Sequence, residues 1–284
     1  MAITNIGDVS NQVIKRWAPM FTKELRQSNI LVDLLDKSYQ GDIQNQGDTV
    51  YVSQINAPTG ELLTVGTDAD SFSSEQLSMS RVTIQANKRA VAAFEFEDLA
   101  ILQSQLDSQD SEIRESLLYA VSSQINTYLY SLMVPSASAP DHQIVSTDMN
   151  SATVSAARTL AATAKWPNNQ PWYGVLDPSY YSDVLNDTTL ASSDFGGQDR
   201  PVIGGQVSLP RYGFQLVEDN SLSTDTGYFF YKDCMHLVMQ TMPTFKISDL
   251  HAQKKFGYLI SVDVIFGAAL GVSGDNKMIK YTGS

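Results

Sequence analysis

The sequence of 284 residues contains a single cysteine, Cys234, and this excludes an intramolecular disulfide framework. Stable disulfides belong to oxidising compartments, so a lone cysteine favours assembly in a reducing cytoplasm. We expect Cys234 to be a small buried hydrophobic side chain.

Long apolar runs are also missing. No segment approaches the roughly 18 consecutive apolar residues of a membrane span, and residues 1–17 lack the apolar centre of a signal peptide. The sequence therefore predicts neither membrane insertion nor export through a signal peptide.

Positive charge is scarce, since 19 Lys and Arg stand against 31 Asp and Glu, for a net charge of -12. Proteins that grip nucleic acid by its phosphates need clustered basic residues. Tight DNA binding by the average surface is thus excluded, although an acidic inner wall suits a container that holds DNA without binding it.

Recognisable catalytic and ligand-binding motifs are absent from the sequence. The three histidines, His142, His236 and His251, lie far apart, and we expect ordinary surface or partly buried side chains, with His142 in a loop and His236 in a strand. Neither a nucleophile elbow, a phosphate-binding loop nor a dinucleotide fingerprint occurs. We therefore predict no catalytic, cofactor-binding or metal-binding residue.

Two segments with alternating apolar residues, 49–55 and 77–84, predict β-strands. Turn formers such as Pro58 and Gly60 fill the stretch between them. The whole predicts one long β-hairpin with an extended tip. Because a two-stranded ribbon alone is marginal in water, it must lie against its own body or another subunit.

A long helix is predicted over 108–133, where apolar residues recur every three or four positions until Pro135. The other predicted helices are 97–106, 150–165 and one that begins at Asp177-Pro178. The other predicted strands are 91–96, 172–176, 214–217, 227–231, 235–240, 258–266 and 277–281, with loops at 187–211 and a polar stretch at 243–255. These elements predict an α+β fold with a long helix, a helix-and-sheet lobe and a projecting hairpin.

The first 37 residues combine helical spacing with local positive charge. Apolar residues recur at Val13, Trp17, Phe21 and Leu25. Four basic residues accompany them, namely Lys15, Arg16, Lys23 and Arg26. The segment is either a surface helix with a solvated face or a docking site for an acidic partner, and the sequence leaves both open.

The order of these elements resembles the major capsid proteins of tailed bacteriophages, which have the Hong Kong 97-like fold. Residues 47–52, GDTVYV, look like the start of that family's extended E-loop, and 93–135 resemble the region of its spine helix. Residues 172–181, WYGVLDPSYY, are similar to the strand, turn and helix of the axial domain, and 204–220 resemble its later loop and strand. Residues 254–270 resemble the last long strand of the peripheral domain.

The resemblance implies a domain organisation. Residues 1–40 would form an N-terminal arm and 41–90 the E-loop hairpin. Residues 91–149 and 226–284 would form the peripheral domain with its spine helix, and 150–225 the axial domain. The implied function is self-assembly into pentamers and hexamers of an icosahedral head that encloses double-stranded DNA, with each E-loop lying across a neighbouring subunit.

The resemblance also implies partners: a scaffolding protein, a portal protein and, where added stability is needed, a cement protein. It places the chain in the virion capsid, assembled in the cytoplasm of a bacterial host. The four basic N-terminal residues are candidates for a scaffold-responsive region. Candidate inter-subunit contacts in the hairpin are Glu61, Asp68, Asp70 and Glu75.

Some relatives cross-link subunits through an E-loop lysine, but no lysine occurs here between Lys37 and Lys88. The sequence therefore predicts a shell whose subunits are not cross-linked in that way.

Two alternatives for the function remain open at this stage. An encapsulin-type bacterial compartment shares the fold, and a monomeric α+β enzyme with an unrecognised site belongs to a different class.

Overall fold

The computed structural model describes residues 29–39, 49–64, 72–97, 110–191, 202–203, 206–207 and 210–283. Its helices are α1 (Leu31–Leu34), α2 (Asp110–Leu132), α3 (Ser151–Thr163), α4 (Pro178–Asn186) and α5 (Thr188–Ala191). Its strands are β1 (Thr49–Ile55), β2 (Met79–Gln85), β3 (Lys88–Phe96), β4 (Gln143–Val145), β5 (Trp172–Leu176), β6 (Val202–Ile203), β7 (Gln206–Val207), β8 (Phe214–Glu218), β9 (Thr226–Tyr231), β10 (Met235–Met239), β11 (Thr244–Asp249), β12 (Tyr258–Leu270) and β13 (Met278–Thr282). The α+β class predicted from the sequence is confirmed. None of these helices is both long enough and apolar enough to span a bilayer.

The long helix α2 packs on a four-stranded sheet built around β12. Strand β3 pairs with one side of β12, and β10 and β11 pair in turn with the other side, all antiparallel. The predicted apolar stripe is buried, with Leu117 and Leu129 in one core cluster with Val262 and Val264 of β12. Each fully buried side chain of this size contributes about 1.5–3 kcal/mol, so the stripe anchors α2 to the sheet.

A second lobe is built on a five-stranded sheet in the order β4-β13-β9-β5-β8. Its own core, separate from that of the long helix, contains Trp172, Tyr180 and Phe214. At the end of β5, the carboxylate of Asp177 caps α4 by accepting from the backbone N–H of Tyr180 at 3.2 Å. The predicted strand, turn and helix are therefore confirmed at this position.

Strand pairing crosses one border of the predicted domains. Strands β9 and β13 lie in the segment assigned to the peripheral domain, yet they pair in the same sheet as β5. The division of the chain into arm, loop and two domains remains a prediction.

The hairpin is present, with β1 and β2 paired from Thr49 opposite Gln85 to Ile55 opposite Met79. Its base rests on the body through Ile84, which is fully buried and packs with Val238 of β10. Beyond the ladder, residues 56–64 and 72–78 are exposed. From residue 49 to residue 62 an extended strand spans about 40 Å at roughly 3.3 Å per residue.

Several parts of the sequence prediction need correction, among them the loop expected at 187–211, which contains α5, β6 and β7. The stretch at 243–255 was expected to be merely polar, but it contains β11, an edge strand whose side chains are mostly exposed and so show little apolar alternation. Strand β3 begins at Lys88, before the predicted start at 91, and the short strand β4 was not predicted. The helices predicted at 97–106 and within 1–28 fall mainly outside the described residues.

Candidate assembly surfaces

The structure brings together only some of the predicted site residues. Glu61 and Glu75 lie on the distal part of the hairpin. The remaining candidates, Lys15, Arg16, Lys23, Arg26, Asp68 and Asp70, lie outside the described residues. The roles predicted for all of them as inter-subunit or scaffold contacts therefore stay predictions.

Glu61 and Glu75 also hold the two halves of the ribbon together. The Glu61 carboxylate accepts from Ser73 through its backbone N–H at 2.9 Å and its hydroxyl at 2.6 Å. The Glu75 carboxylate accepts from the backbone N–H of Thr59 at 3.2 Å. Residues 61 and 73, like residues 59 and 75, are the pairs expected if the β1–β2 register continued past Ile55. The two halves of the ribbon therefore remain opposite each other beyond the paired strands. The bonds from Ser73 lower the pKa of Glu61, which therefore stays ionised.

Large apolar side chains line this distal ribbon and face solvent. Leu62 is 99% exposed and Phe72, which the register places opposite it, is 76% exposed. Other exposed apolar residues of the ribbon are Tyr51, Ile55, Leu63, Leu77 and Met79. Exposed apolar groups thus occur on both faces of the described ribbon, and such exposure is typical of an interaction surface.

A second exposed apolar surface lies at one end of the sheet, and we call it the sheet-end surface. Phe94, Ile260 and Ile247 form a row across β3, β12 and β11, because each is the direct cross-strand partner of the next. Phe256 and Tyr258 extend the row toward the β11–β12 turn. Phe256 is 74% exposed and Ile247 is 62% exposed.

A cleft borders the sheet-end surface. It measures about 410 Å³. Its lining residues are Glu95, Phe96, Glu97, Leu250, Lys255 and Phe256. Lys255 Nζ lies 3.0 Å from Glu95 Oε2, an exposed ion pair. The two carboxylates that the sequence brings close, at positions 95 and 97, thus line an open cleft beside a lysine.

A buried polar cluster joins the segment before the hairpin to the body. Asp36 Oδ2 lies 2.8 Å from His236 Nδ1, and the Asp36 carboxylate also accepts from the backbone N–H of Ser38 at 3.2 Å. Asp233 brings a further carboxylate, and one donor atom from each of the three residues lies within 4.8 Å of the others. These are residue types that bind metal ions. The hydrogen bonds to Asp36 nevertheless account for its position. We therefore interpret Asp36 and His236 as a structural contact that holds the segment before the hairpin on β10, and we call this pair the latch.

A further buried cluster joins α2 to the lobe. Tyr130 Oη donates to Asp219 Oδ2 at 2.7 Å, and Asn126 Nδ2 donates to Ser221 Oγ at 2.8 Å. Burial and the neighbouring Asp219 raise the pKa of Tyr130, so the phenol remains a donor. Asp219 follows β8, and the cluster therefore fixes the lobe relative to the long helix. Nothing in the sequence spacing indicates this contact, which joins residues 89 positions apart.

Two of the histidines are more buried than expected. His142 is fully buried, with Nδ1 2.9 Å from the Met278 carbonyl oxygen, and His236 is also buried. Their partners come from distant parts of the chain, which is why local polarity gave a wrong prediction. His251 is exposed. Cys234 is buried as expected, and burial raises the pKa of its thiol.

Comparison with known proteins identifies the family. The model of the family described as phage capsid protein matches residues 65–277, which is most of the chain. No curated protein matches the sequence.

Several solved structures share the fold. A structure titled Mycobacterium phage Che8 matches with a TM-score of 0.76 at 17% identity, covering 99% of this chain and 98% of that one. The cyanophage Pam1 capsid gives 0.74 at 11% identity, with 96% of each chain covered. The cyanophage P-SCSP1u capsid gives 0.70 at 14% identity, covering 97% of this chain and 94% of that one.

These matches do not favour the encapsulin alternative, because the family and the structures are those of phages. They also exclude the enzyme alternative, because a phage capsid protein is a structural protein. The chain is therefore a structural major capsid protein, and it belongs to the phage capsid protein family.

Proposed function

We propose that the protein assembles into pentamers and hexamers of an icosahedral head that encloses double-stranded DNA. The observation that carries this proposal is the exposure of the distal hairpin. Ordering each residue costs about 1–2 kcal/mol of backbone entropy. With its apolar side chains in water, the distal ribbon recovers little of that cost within its own subunit, so a neighbouring copy is the natural source of the missing contacts.

Heterologous contacts repeated around a ring close into pentamers and hexamers. In this arrangement residues 41–90 act as the E-loop and lie across the neighbouring subunit. Residues 150–225 act as the axial domain at the five-fold and six-fold centres, and residues 91–149 and 226–284 act as the peripheral domain. Obligate interfaces of this kind bury about 2,000–5,000 Å².

The net charge of -12 supports a container that holds DNA without sequence-specific binding. A scaffolding protein, a portal at one vertex and, where the noncovalent shell needs support, a cement protein are the proposed partners. The single cysteine supports assembly in the reducing cytoplasm of the host bacterium.

The basic set Lys15, Arg16, Lys23 and Arg26 is the proposed scaffold-responsive region. Its locally positive charge in an acidic protein suits an acidic partner segment. Charge reversal at all four positions should lower the yield of scaffold-assisted shells. A normal yield from the variant would refute this role.

Electron microscopy of the expressed chain, with its scaffold where required, tests the proposed function. We expect closed shells of uniform diameter, and native particles should contain nucleic acid. A matched variant that lacks residues 57–77 should fold but not close shells. If the intact chain remained a single-copy particle under every condition that folds it, the proposal would fail.

A further inference from the structure

The imidazole ring of His236 has one nitrogen that is hydrogen bonded and one that is not. Its Nδ1 lies 2.8 Å from Asp36 Oδ2, and because a carboxylate only accepts, the shared proton is on Nδ1. The neutral ring then keeps a lone pair on Nε2, which makes no hydrogen bond with the residues that the structure describes. Only 5% of His236 is exposed, so water has little access to this acceptor, and an unpartnered buried acceptor calls for an explanation.

His236 Nε2 lies beside the turn that joins β9 to β10. A Cβ atom added at Gly271 would lie 3.2 Å from His236 Nε2 and 2.6 Å from the carbonyl oxygen of Asp233. Both atoms therefore border the same point, which Gly271 leaves without a side chain. An imidazole nitrogen and a backbone carbonyl oxygen are both groups that coordinate metal ions.

The side chain of Asp233 brings a negative charge to the same place. One of its carboxylate oxygens lies within 4.8 Å of a ring nitrogen of His236 and of a carboxylate oxygen of Asp36. Within the described part of the chain, no side chain forms an ion pair or a hydrogen bond with the Asp233 carboxylate. Two carboxylates at this separation repel each other, and a bound divalent cation would offset that repulsion.

Lys277 is the basic side chain next to this turn. Its Nζ lies 3.5 Å from the Asp233 carbonyl oxygen, but it does not come within 4 Å of the Asp233 carboxylate. Burial lowers the pKa of Lys277, although the charge of Asp233 opposes that shift. The ammonium is therefore poorly solvated at this position, and it competes with a metal ion for the same oxygen.

We propose that His236 Nε2 and Asp233 bind a divalent transition-metal ion of the Zn²⁺ class. Imidazole nitrogen favours such ions over Mg²⁺ and Ca²⁺, which prefer oxygen ligands. Asp36 keeps its hydrogen bond to Nδ1 and acts as the outer carboxylate that fixes the ring, as carboxylates commonly do behind metal-bound histidines. The latch therefore stays closed when the ion binds, and the ion joins the β9–β10 turn to it.

Shell assembly is not needed for this site, because all of its residues belong to one chain. The sequence predicted no metal-binding residue, since Asp36 and Gly271 approach His236 only in the completed fold. An ion that binds the folded chain alone stabilises it by mass action. Zn²⁺ should therefore strengthen the junction at which the chain passes from the sheet of the second lobe to the sheet under the long helix.

Zinc titration of the purified, folded chain tests the site. Isothermal titration calorimetry should show one saturable Zn²⁺ per chain, and Zn²⁺ should raise the melting temperature in a way that EDTA reverses. Co²⁺ serves as a spectroscopic probe, and the change in its visible absorption on binding should be reversed by Zn²⁺. A chain that binds neither ion saturably would overturn the proposal.

Asp233→Asn removes a proposed ligand and leaves the latch in place. It should weaken Zn²⁺ binding by at least about tenfold, while the midpoint of urea unfolding without metal stays unchanged. His251→Ala is the control, because His251 is exposed and far from the site in sequence. That variant should bind Zn²⁺ as the wild type does. Unchanged binding in Asp233→Asn, or a loss of binding in His251→Ala, would show an adventitious ion only and overturn the proposal.

Lys277→Gln tests the site without changing a proposed ligand. Removing the competing ammonium should strengthen Zn²⁺ binding, a result that a purely structural role of Asp233 does not give. The variant also keeps the test decisive if Asp233→Asn disturbs the turn. Equal or weaker Zn²⁺ binding in Lys277→Gln, with its fold intact by circular dichroism, would contradict the site.

Discussion

Asp36 and His236 are 200 positions apart in the sequence, yet Asp36 Oδ2 lies 2.8 Å from His236 Nδ1. Their backbones meet as well, because the N–H of Leu237 donates to the Asp36 carbonyl oxygen at 2.9 Å. Asp36 follows α1, whose Leu31 is buried against the core, and precedes the hairpin. The pair therefore fastens the segment that leads into the hairpin to strand β10.

Removing the carboxylate in Asp36→Ala should lower the free energy of unfolding by about 1–3 kcal/mol, because the buried His236 ring loses its partner and the Ser38 N–H loses its acceptor. Urea unfolding followed by tryptophan fluorescence measures this change. Asp33→Ala is the matched control. Asp33 is exposed, and among the described residues its carboxylate pairs with Lys37 at 3.1 Å, so its loss should cost about 0–1 kcal/mol. Equal effects of the two substitutions would contradict the latch.

Acid should release the latch. Burial alone would raise the pKa of Asp36, but the hydrogen bonds from Ser38 and His236 outweigh burial and hold the pKa below its ordinary value. A carboxyl with a lowered folded-state pKa stabilises the fold fully above its ordinary pKa of about 3.9. That contribution is lost as the pH falls through the lowered value.

The measurement compares the unfolding free energies of the wild type and Asp36→Ala from pH 5 downward. Starting at pH 5 keeps unfolded histidine protonated throughout, since its ordinary pKa is about 6.5. The gap between the two proteins should be constant near pH 5 and narrow below about pH 4. A gap that widens on acidification would show that the carboxylate is not the stabilising form.

Gly267 permits the close approach of the hairpin base to β12. A Cβ atom added at this position would lie 1.9 Å from the carbonyl oxygen of Gln85, so backbone must move. Gly267→Ala should therefore destabilise the protein by about 1–3 kcal/mol. It should also raise hydrogen exchange at residues 84–86.

Gly60 is the matched position on the distal ribbon, where an added Cβ meets nothing within 4 Å. Gly60→Ala should change stability by less than about 0.5 kcal/mol. If Gly267→Ala also left the free energy of unfolding unchanged, the hairpin base would not pack on β12 as closely as described.

Elements with a strong period could be predicted from sequence. The stripe of α2 follows helical spacing, and β12 alternates buried Val262 and Val264 with more exposed neighbours. Asp177 before Pro178 predicts a helix start because both residues act locally. Edge strand β11 was not predicted from the sequence, because an exposed strand shows little alternation of apolar and polar residues.

The contacts that fix the arrangement could not be predicted in the same way. Asp36 with His236, and Tyr130 with Asp219, join residues whose nearness depends on the completed fold. The sheet-end surface has the same origin, since Phe94 and Ile247 become neighbours only when β3 and β11 pair with β12. A single sequence indicates each side chain but not the row that they form together.

Mature particles should separate into single, uncross-linked polypeptide chains on denaturing electrophoresis. A covalent mesh through the hairpin needs a lysine amine, and the hairpin has none between Lys37 and Lys88. The basic residue between these two lysines is Arg81, whose guanidinium lies 5.0 Å from the Tyr51 ring centroid and is not an amine nucleophile. Cohesion of the shell must then come from noncovalent contacts, and particles heated in detergent should give one band at the mass of the chain. A ladder of covalent oligomers that resists reducing agent would contradict this, and would require a cross-link from lysines outside the hairpin.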